Sequence, residues 1–360
     1  MHDLIHDLAQ DVAGKETIML DSHAGQLDRK HFHLSIPNDG YILLDSINSQ
    51  LSEMKKLRKL LQVTEKSYSY KNYVELNVTA VCSHLRRLRV LDLHNFQLNT
   101  LPDTVGNLSH LRYLDLSENN RLTVLPNSIT KLYNLQVLNL DYTGDFDKLE
   151  AEVLPSLCQL RHLKCLKLNG MGNVEFMESD VVVDSPDDEL LFFPSLEELE
   201  LSEFPKLNLM SLLGVVKHLT SLQSLDIRNC KNLDLEVDEE VATPWNSRHL
   251  LSTMRLSKLP KLVNIPKEFQ YLTCLQAVMI ENCENLEALP EWLNCLTSLQ
   301  KLSIFGCDNL KLLPEAIAYM PFLKTLDLRW CGENIRKRCR QSDGEDWPKI
   351  RRIPHVLIEE

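Results

Sequence analysis

From Leu88 onward the apolar positions along the chain follow one phrase: LRVLDL, LRYLDL, LQVLNL, LKCLKL, LEELEL, LQSLDI, LSTMRL, LQAVMI, LQKLSI and LKTLDL. These phrases begin at Leu88, Leu111, Leu135, Leu163, Leu196, Leu222, Leu251, Leu275, Leu299 and Leu323, and the last three steps are each 24 residues. Within a phrase the fourth and sixth residues are apolar and the one between them is free to be polar, which is the period-two alternation of a short strand with one buried face. The stretch that follows, such as LPDTVGNLSH or LPNSITKLYN, opens on Leu-Pro and spaces its apolar residues three or four apart. That spacing predicts a short helical turn or an irregular arc. A degenerate earlier unit is expected at Leu57 (LRKLLQV), and HFHLSIP over 31–37 is a candidate first strand.

One such unit leaves its leucines exposed on both sides, so units must stack to bury them. LxxLxL at this period is the signature of a leucine-rich repeat. The predicted fold is an α/β solenoid, a leucine-rich-repeat horseshoe with a parallel concave β-sheet and short helical or irregular convex segments, running over 31–331 with 332–360 as a C-terminal capping segment. The ninth residue of the best-formed units, Asn119, Cys230, Cys283, Cys307 and Cys331, is expected to be a buried ladder position. Asparagine there serves spare backbone groups, and cysteine acts as a small apolar filler. Stacked cysteines are also raw material for a metal or redox site, although no histidine or carboxylate recurs beside them. Two insertions break the rhythm, an acidic one at about 173–191 and one reading LEVDEEVATPWNSRH. Each is expected to be a rim loop, either solvated or used in binding.

Hydrophobic residues make up 44% of the 360 residues and charged residues 25%, which suits a chain with a large core and excludes global disorder. The formal net charge of -12 would repel a phosphate backbone, so nucleic acid is not an expected partner. Much of that acidity is local, because residues 175–189 hold seven acids and no base. No apolar signal core follows the start and no run reaches about 18 apolar residues, so neither secretion nor membrane insertion is expected. Ten cysteines without a CxxC pair fit a reducing, cytoplasmic setting. GxSxG, HExxH and a glycine-rich phosphate cradle are missing from the sequence, and neither a catalytic centre nor a metal site is expected. The basic run from Ile335 to Arg340 reads as a phosphate or import patch, or as the solvated end of the capping segment.

The start MHDLIHDLAQDVAG, the LxxLxIxNCxNL units and the ending GEDWPKIRRIPHVLIEE from Gly344 to Glu360 together resemble plant nucleotide-binding leucine-rich-repeat (NLR) disease-resistance proteins of the coiled-coil class. The resemblance covers essentially the whole chain. In that family a Met-His-Asp triplet closes the nucleotide-binding switch module, and here it stands at Met1, His2 and Asp3. The resemblance therefore implies that residues 1–30 are a remnant of that module and that His2 is a contact to bound ADP. The family's phosphate loop has no counterpart, the nearest string being AGKE at Ala13 to Glu16, so ADP or ATP is expected only together with the missing nucleotide-binding domain. From the residues alone, 1–13 read as an amphipathic helix with Leu4, Ile5, Leu8, Ala9 and Val12 on one face. The implied role is that of a recognition module in a defence response. It would bind a pathogen effector, a guarded host protein or the receptor's own nucleotide-binding module, and hold the switch off. A substrate-recognition subunit of a ubiquitin ligase, or another repeat scaffold, is the alternative.

The outward positions of the strands supply candidate binding residues. Early units place Asp92, Asp115, Glu118 and Asp141 there, followed by Glu198, Glu200 and Glu203. The sign then turns to Arg228, Arg255, Lys258, Lys301 and Arg329, interrupted by Glu281. Tyr113 and Tyr142 accompany the acidic end, and Phe305 and Trp330 the basic end. The expectation is an electrically split protein-binding face centred on Phe305, Arg329 and Trp330, against the plainer reading of a solvated sheet face.

Overall fold

A computed structural model describes residues 17–19, 32–37, 48, 50–63, 76–122, 124–143, 157–169, 193–208, 212, 216, 218–235 and 250–358. His2, the 1–13 helix, the acidic insertion and most of the second insertion lie outside these residues. The chain forms two compact units, residues 1–163 and 164–360.

In the first unit six strands pair in parallel and in chain order: β1 (Thr17–Met19), β2 (His33–Pro37), β3 (Lys59–Val63), β4 (Val90–Asp92), β5 (Tyr113–Asp115) and β6 (Val137–Leu140). The ladder thus begins before HFHLSIP, with Thr17 opposite His33. The second unit follows the same scheme within itself, through β7 (Cys165–Asn169), β8 (Glu198–Ser202), β9 (Ser224–Arg228), β10 (Thr253–Ser257), β11 (Ala277–Glu281), β12 (Lys301–Phe305), β13 (Thr325–Asp327) and β14 (His355–Leu357).

The leucines account for this order. Leu88, Leu91 and Leu93, or Leu299, Leu302 and Ile304, are buried on one side of each coil against their counterparts in the next. Each large side chain so covered contributes about 1.5–3 kcal/mol, which no single coil can collect alone. After the strand the chain must reverse. The eighth residue of the unit does so with positive φ in coil after coil: Asn95, Glu118, Tyr142, Glu203, Asn229, Lys258, Asn282, Gly306 and Trp330. The ninth residue then turns inward. Asn119 is fully buried, its amide donating to the carbonyls of Leu93 and Leu116 while its oxygen accepts from Leu98 N–H. In later coils Cys230, Cys283, Cys307 and Cys331 take this place with thiols turned toward nearby carbonyls. Burial pushes the thiols of Cys230 and Cys283 up to about 11 and that of Cys307 to about 12, so they stay protonated and serve as fillers.

The arc after the ladder is a one-turn 3₁₀ helix in the best-formed coils, at Asp103–Asn107, Asn127–Lys131, Lys267–Tyr271, Glu291–Cys295 and Glu315–Tyr319. A proline stands at the N-cap of each, and its carbonyl accepts the first hydrogen bond of the turn, from the N–H of Val105, Ile129, Phe269, Leu293 or Ile317. In the coil before β4 the arc is a true α-helix instead, α1 (Val78–His84), capped by the Asn77 side chain on Ala80 N–H.

Beyond β13 the chain forms α2 (Glu333–Arg338) and α3 (Trp347–Ile350) before adding β14. The carboxylate of Asp346 is fully buried between these pieces, accepting from Leu313 N–H, from Arg338 Nε at 2.9 Å and from Lys349 Nζ at 2.9 Å. Desolvation works against its charged form, but the hydrogen bonds from Arg338 and Lys349 outweigh it and lower the carboxyl pKa. The basic run is therefore largely spoken for. Ile335 and Cys339 are buried, Lys337 pairs with Glu333, and Arg338 pairs with Glu345 and Asp346. Among the described residues no helix is long and apolar enough to cross a membrane.

Candidate functional site: the outward strand face

Opposite the leucines, each strand turns its alternate side chains outward, and the parallel register lines them up into rows. In the first unit the central row is Asp92, Asp115 and Asn139, because Asp92 lies opposite Asp115 and Asp115 opposite Asn139. Two carboxylates about one strand spacing apart would repel each other, and hydrogen-bond donors hold them in place. Asp115 accepts from Tyr113 Oη at 2.8 Å, from the amide and hydroxyl of Ser117 and from Asn139 Nδ2 at 3.0 Å. Asp92 Oδ1 lies 2.6 Å from His94 Nδ1 and also accepts from the His94 N–H. Burial raises the Asp92 carboxyl pKa against the pull of His94. For His94 burial acts downward, but the hydrogen bond and charge of Asp92, helped by Asp115 and Glu118, win and raise it.

The second unit holds its charges differently. Along its central row stand Lys167, Glu200, Asp226 and Arg255 on successive strands. Glu200 receives Lys167 at 3.2 Å and Arg228 at 2.9 Å. Asp226, only 3% exposed, takes a two-pronged grip from Arg228 at 2.9 and 2.6 Å and lies 3.9 Å from Arg255. Arg255 then reaches the next strand to meet Glu281 at 2.6 Å. Exposed pairs of this kind are worth about 0.2–1 kcal/mol singly, but here the acidic partners are nearly dry and share arginines, which makes the chain of pairs a network.

This corrects the expected split. Arg228 and Arg255 are not a free basic half, since Arg228 neutralises Asp226 and Glu200 and Arg255 neutralises Glu281. Arg329 is likewise bound at 2.9 and 2.8 Å to Asp327, which is buried. Lys301 and Lys258 are exposed cations. Glu198 and Asp141 are half-buried on the face, whereas Asp115 and Glu200 are buried and serve their neighbours. Glu118, Lys258 and Trp330 stand at the left-handed eighth position at the strand end, outside the strands themselves, with φ of 58°, 52° and 55°.

Phe305, Arg329 and Trp330 do come together. The Arg329 guanidinium carbon lies 5.4 Å from the ring centroids of both Phe305 and Trp330, and the two rings are 6.1 Å apart at a 46° tilt. Asp327 fixes the guanidinium plane, the rings flank it, and Trp330 remains 58% exposed. Sequence reasoning missed Asp226, Asp327, Lys167 and Ser303, whose hydroxyl is buried on the outward side of β12 without a hydrogen-bond partner. Among the described residues no group of three or more His, Cys, Asp or Glu is arranged to hold a metal.

Residues 67–353 match the protein family described as a leucine-rich repeat region. The Arabidopsis thaliana disease resistance RPP13-like protein 4 is 25% identical over 259 residues, covering 70% of this chain and 27% of that protein. The disease resistance protein RPP8 of the same plant is 27% identical over 217 residues, covering 56% of this chain and 24% of that protein. The chain thus spans about a quarter of the length of these relatives. Among solved structures, the leucine-rich repeat domain of the type III effector XopL aligns with a TM-score of 0.51 at 22% identity, covering 79% of this chain and 88% of that one, a likeness of fold.

Proposed function

Since the chain belongs to the leucine-rich repeat region family, we propose that it is the protein-recognition module of a plant immune receptor, binding a pathogen effector or guarded host protein and restraining a nucleotide switch. The observation that carries this reading is the Phe305–Arg329–Trp330 cluster. Arginine and aromatic side chains dominate interface energies, and here an arginine is already oriented by Asp327 and stacked between rings before any partner arrives. Trp330 holds the positive φ that the eighth residue adopts in other coils, among them Glu118, Tyr142 and Lys258, so the turn of the repeat itself sets the ring at the strand end. The ion pairs beside the cluster leave little net charge there, so a partner would gain specificity from shape and ring contacts more than from bulk attraction.

Capture of a separately expressed nucleotide-binding module of a disease-resistance receptor, or of a candidate effector, tests the reading. Trp330→Ala is expected to weaken capture tenfold or more, roughly the 1–2 kcal/mol and above of an interface hot spot. Thermal stability should hardly change, because the ring is more than half exposed. Lys131→Glu, on a 3₁₀ arc, should leave capture intact. Equal losses from both variants, or none from Trp330→Ala, would remove the cluster from the binding surface.

A further inference from the structure

The rim where the chain enters β3, β4 and β5 is built from three stacked β-turns. The Leu57 N–H donates to the Met54 carbonyl at 2.9 Å, Leu88 to Leu85 at 3.0 Å and Leu111 to Leu108 at 2.8 Å. Both apolar ends of each turn are buried, so the two central residues point to solvent. Those residues are Lys55 and Lys56, Arg86 and Arg87, and Ser109 and His110, all exposed. One step beyond the turns a second row runs through Arg58, Arg89 and Arg112, joined coil to coil by Arg89 N–H on the Arg58 carbonyl at 2.7 Å and Arg112 N–H on the Arg89 carbonyl at 2.8 Å. The Arg58 guanidinium carbon lies 4.9 Å from the Phe32 ring centroid, which supports it from beneath. Seven lysines and arginines thus share three coils.

The repeat does not require these charges. At the same three positions the second unit carries Thr273, Cys274 and Gln276, then Thr297, Ser298 and Gln300, and neutral residues serve a solvated turn there equally well. Nor are the charges compensated: among the described residues none of the seven takes part in an ion pair, and within 52–59, 83–90 and 106–113 the one acid is Glu53. The block is concentrated in a chain whose net charge is -12. Its size selects the partner. Three coils at ~4.8 Å span about 10 Å, and the four residues from turn to strand span at most about as much. Charge is screened over about 8 Å at physiological salt, so only an anion seated within the block feels all seven cations. A duplex or a bilayer is wider than that and would press its remaining charge against an acidic chain. A short extended peptide fits inside the block, with its carboxylates in reach of arginine forks that bind them two-pronged.

We propose that this basic rim is a docking surface for a short acidic segment of a partner protein, about three to five residues rich in Asp and Glu. It is a second surface, made of residues that the ring cluster does not use. Titrating the full chain into a fluorescein-labelled oligoglutamate peptide, followed by anisotropy, tests it. Exposed ion pairs are individually weak, so a dissociation constant on the order of 100 µM is expected, rising roughly fivefold between about 50 and 200 mM salt. The glutamine version of the peptide should not bind. Arg86→Thr plus Arg87→Ser installs the pair that Thr297 and Ser298 form in the second unit, and should raise the dissociation constant roughly tenfold at an unchanged melting temperature. Arg112→Gln, matching Gln136 one coil on, leaves the turns untouched and should raise it roughly threefold. Lys261→Ser plus Lys324→Gln removes the same amount of charge from exposed positions of the second unit and should change nothing. A peptide that does not bind overturns the proposal, as do equal losses from the two double variants, which would reduce the effect to net charge. Tighter capture of a duplex oligonucleotide or of phosphatidylserine vesicles than of the peptide overturns it too, and would give the rim to that polyanion instead.

Discussion

Asp92 and Asp115 in the first unit, and Glu200 and Asp226 in the second, occupy the same central outward position of their strands, and the two units stabilise them by different means. In the first unit the donors are neutral or titratable: Tyr113, Ser117, Asn139 and His94. In the second they are fixed cations, Lys167, Arg228 and Arg255. A carboxylate held by neutral groups keeps its charge facing the surroundings, whereas one held by arginine does not. The strand face of the first unit thus remains acidic, while that of the second is close to neutral and offers rings. A shared repeat therefore does not imply a shared recognition chemistry.

The comparison is most easily broken at Asp226. Replacing it with alanine removes the two-pronged grip on Arg228, which keeps only Glu200, while Arg255 keeps Glu281, and a cost of about 2 kcal/mol is expected in urea unfolding, since a hydrogen bond to a charged group is worth roughly 1.5–3 kcal/mol. Asp115→Asn keeps an acceptor for its neutral donors and should cost only about 1 kcal/mol. Equal costs would mean that the cations add nothing beyond hydrogen bonding. A smaller effect concerns the strand ends that both units share. Lys258→Gly relieves positive φ and should stabilise the fold by up to about 1 kcal/mol in the same assay, as should Glu118→Gly; destabilisation by either would show that the side chain is worth more than the strain.

The smallest effect sharpens the contrast through pH. The pKa of His94 is raised, so its pairing with Asp92 contributes stability that is complete below the usual histidine value of about 6.5 and is lost as pH rises through the higher folded value. Nuclear magnetic resonance titration should place His94 above that usual value, and Asp92→Asn should bring it down. An unchanged His94 in that variant would assign the shift to Asp115 and Glu118 instead.

Much of this was readable from the residues. The leucine spacing gives the strands, their inward side and the parallel order, and Asn119 with the four cysteines gives the ladder, because burial of one side chain per coil at a constant offset leaves a periodic trace. The pairing of outward charges leaves a trace only after the strands are aligned with one another. Written in register, Lys167, Glu200, Asp226 and Arg255 show a cation at each end of two acids, but along the chain they are separated by 33, 26 and 29 residues. Asp226 and Asp327 leave no trace for the same reason, since an outward aspartate two residues before an arginine looks solvated until that arginine folds back over it. The left-handed eighth position was legible in Asn229, Asn282 and Gly306, and was hidden where Glu118, Lys258 and Trp330 occupy it.

The ladder hydrogen bonds that join one coil to the next connect residues 24 apart between Gln276 and Gln300, and 33 apart between Lys164 and Glu197. Among the described residues each of these strand pairings within a unit is therefore made with the coil just completed, and folding can advance turn by turn as each loop closes on an existing template. Loop-closure entropy grows only with the logarithm of loop length, so lengthening a coil from 24 to 33 residues slows or weakens that step by about 0.3 kcal/mol. Such an architecture can gain or lose segments between its coils over evolutionary time at almost no thermodynamic cost, and a lineage under pressure to recognise something new can change there first.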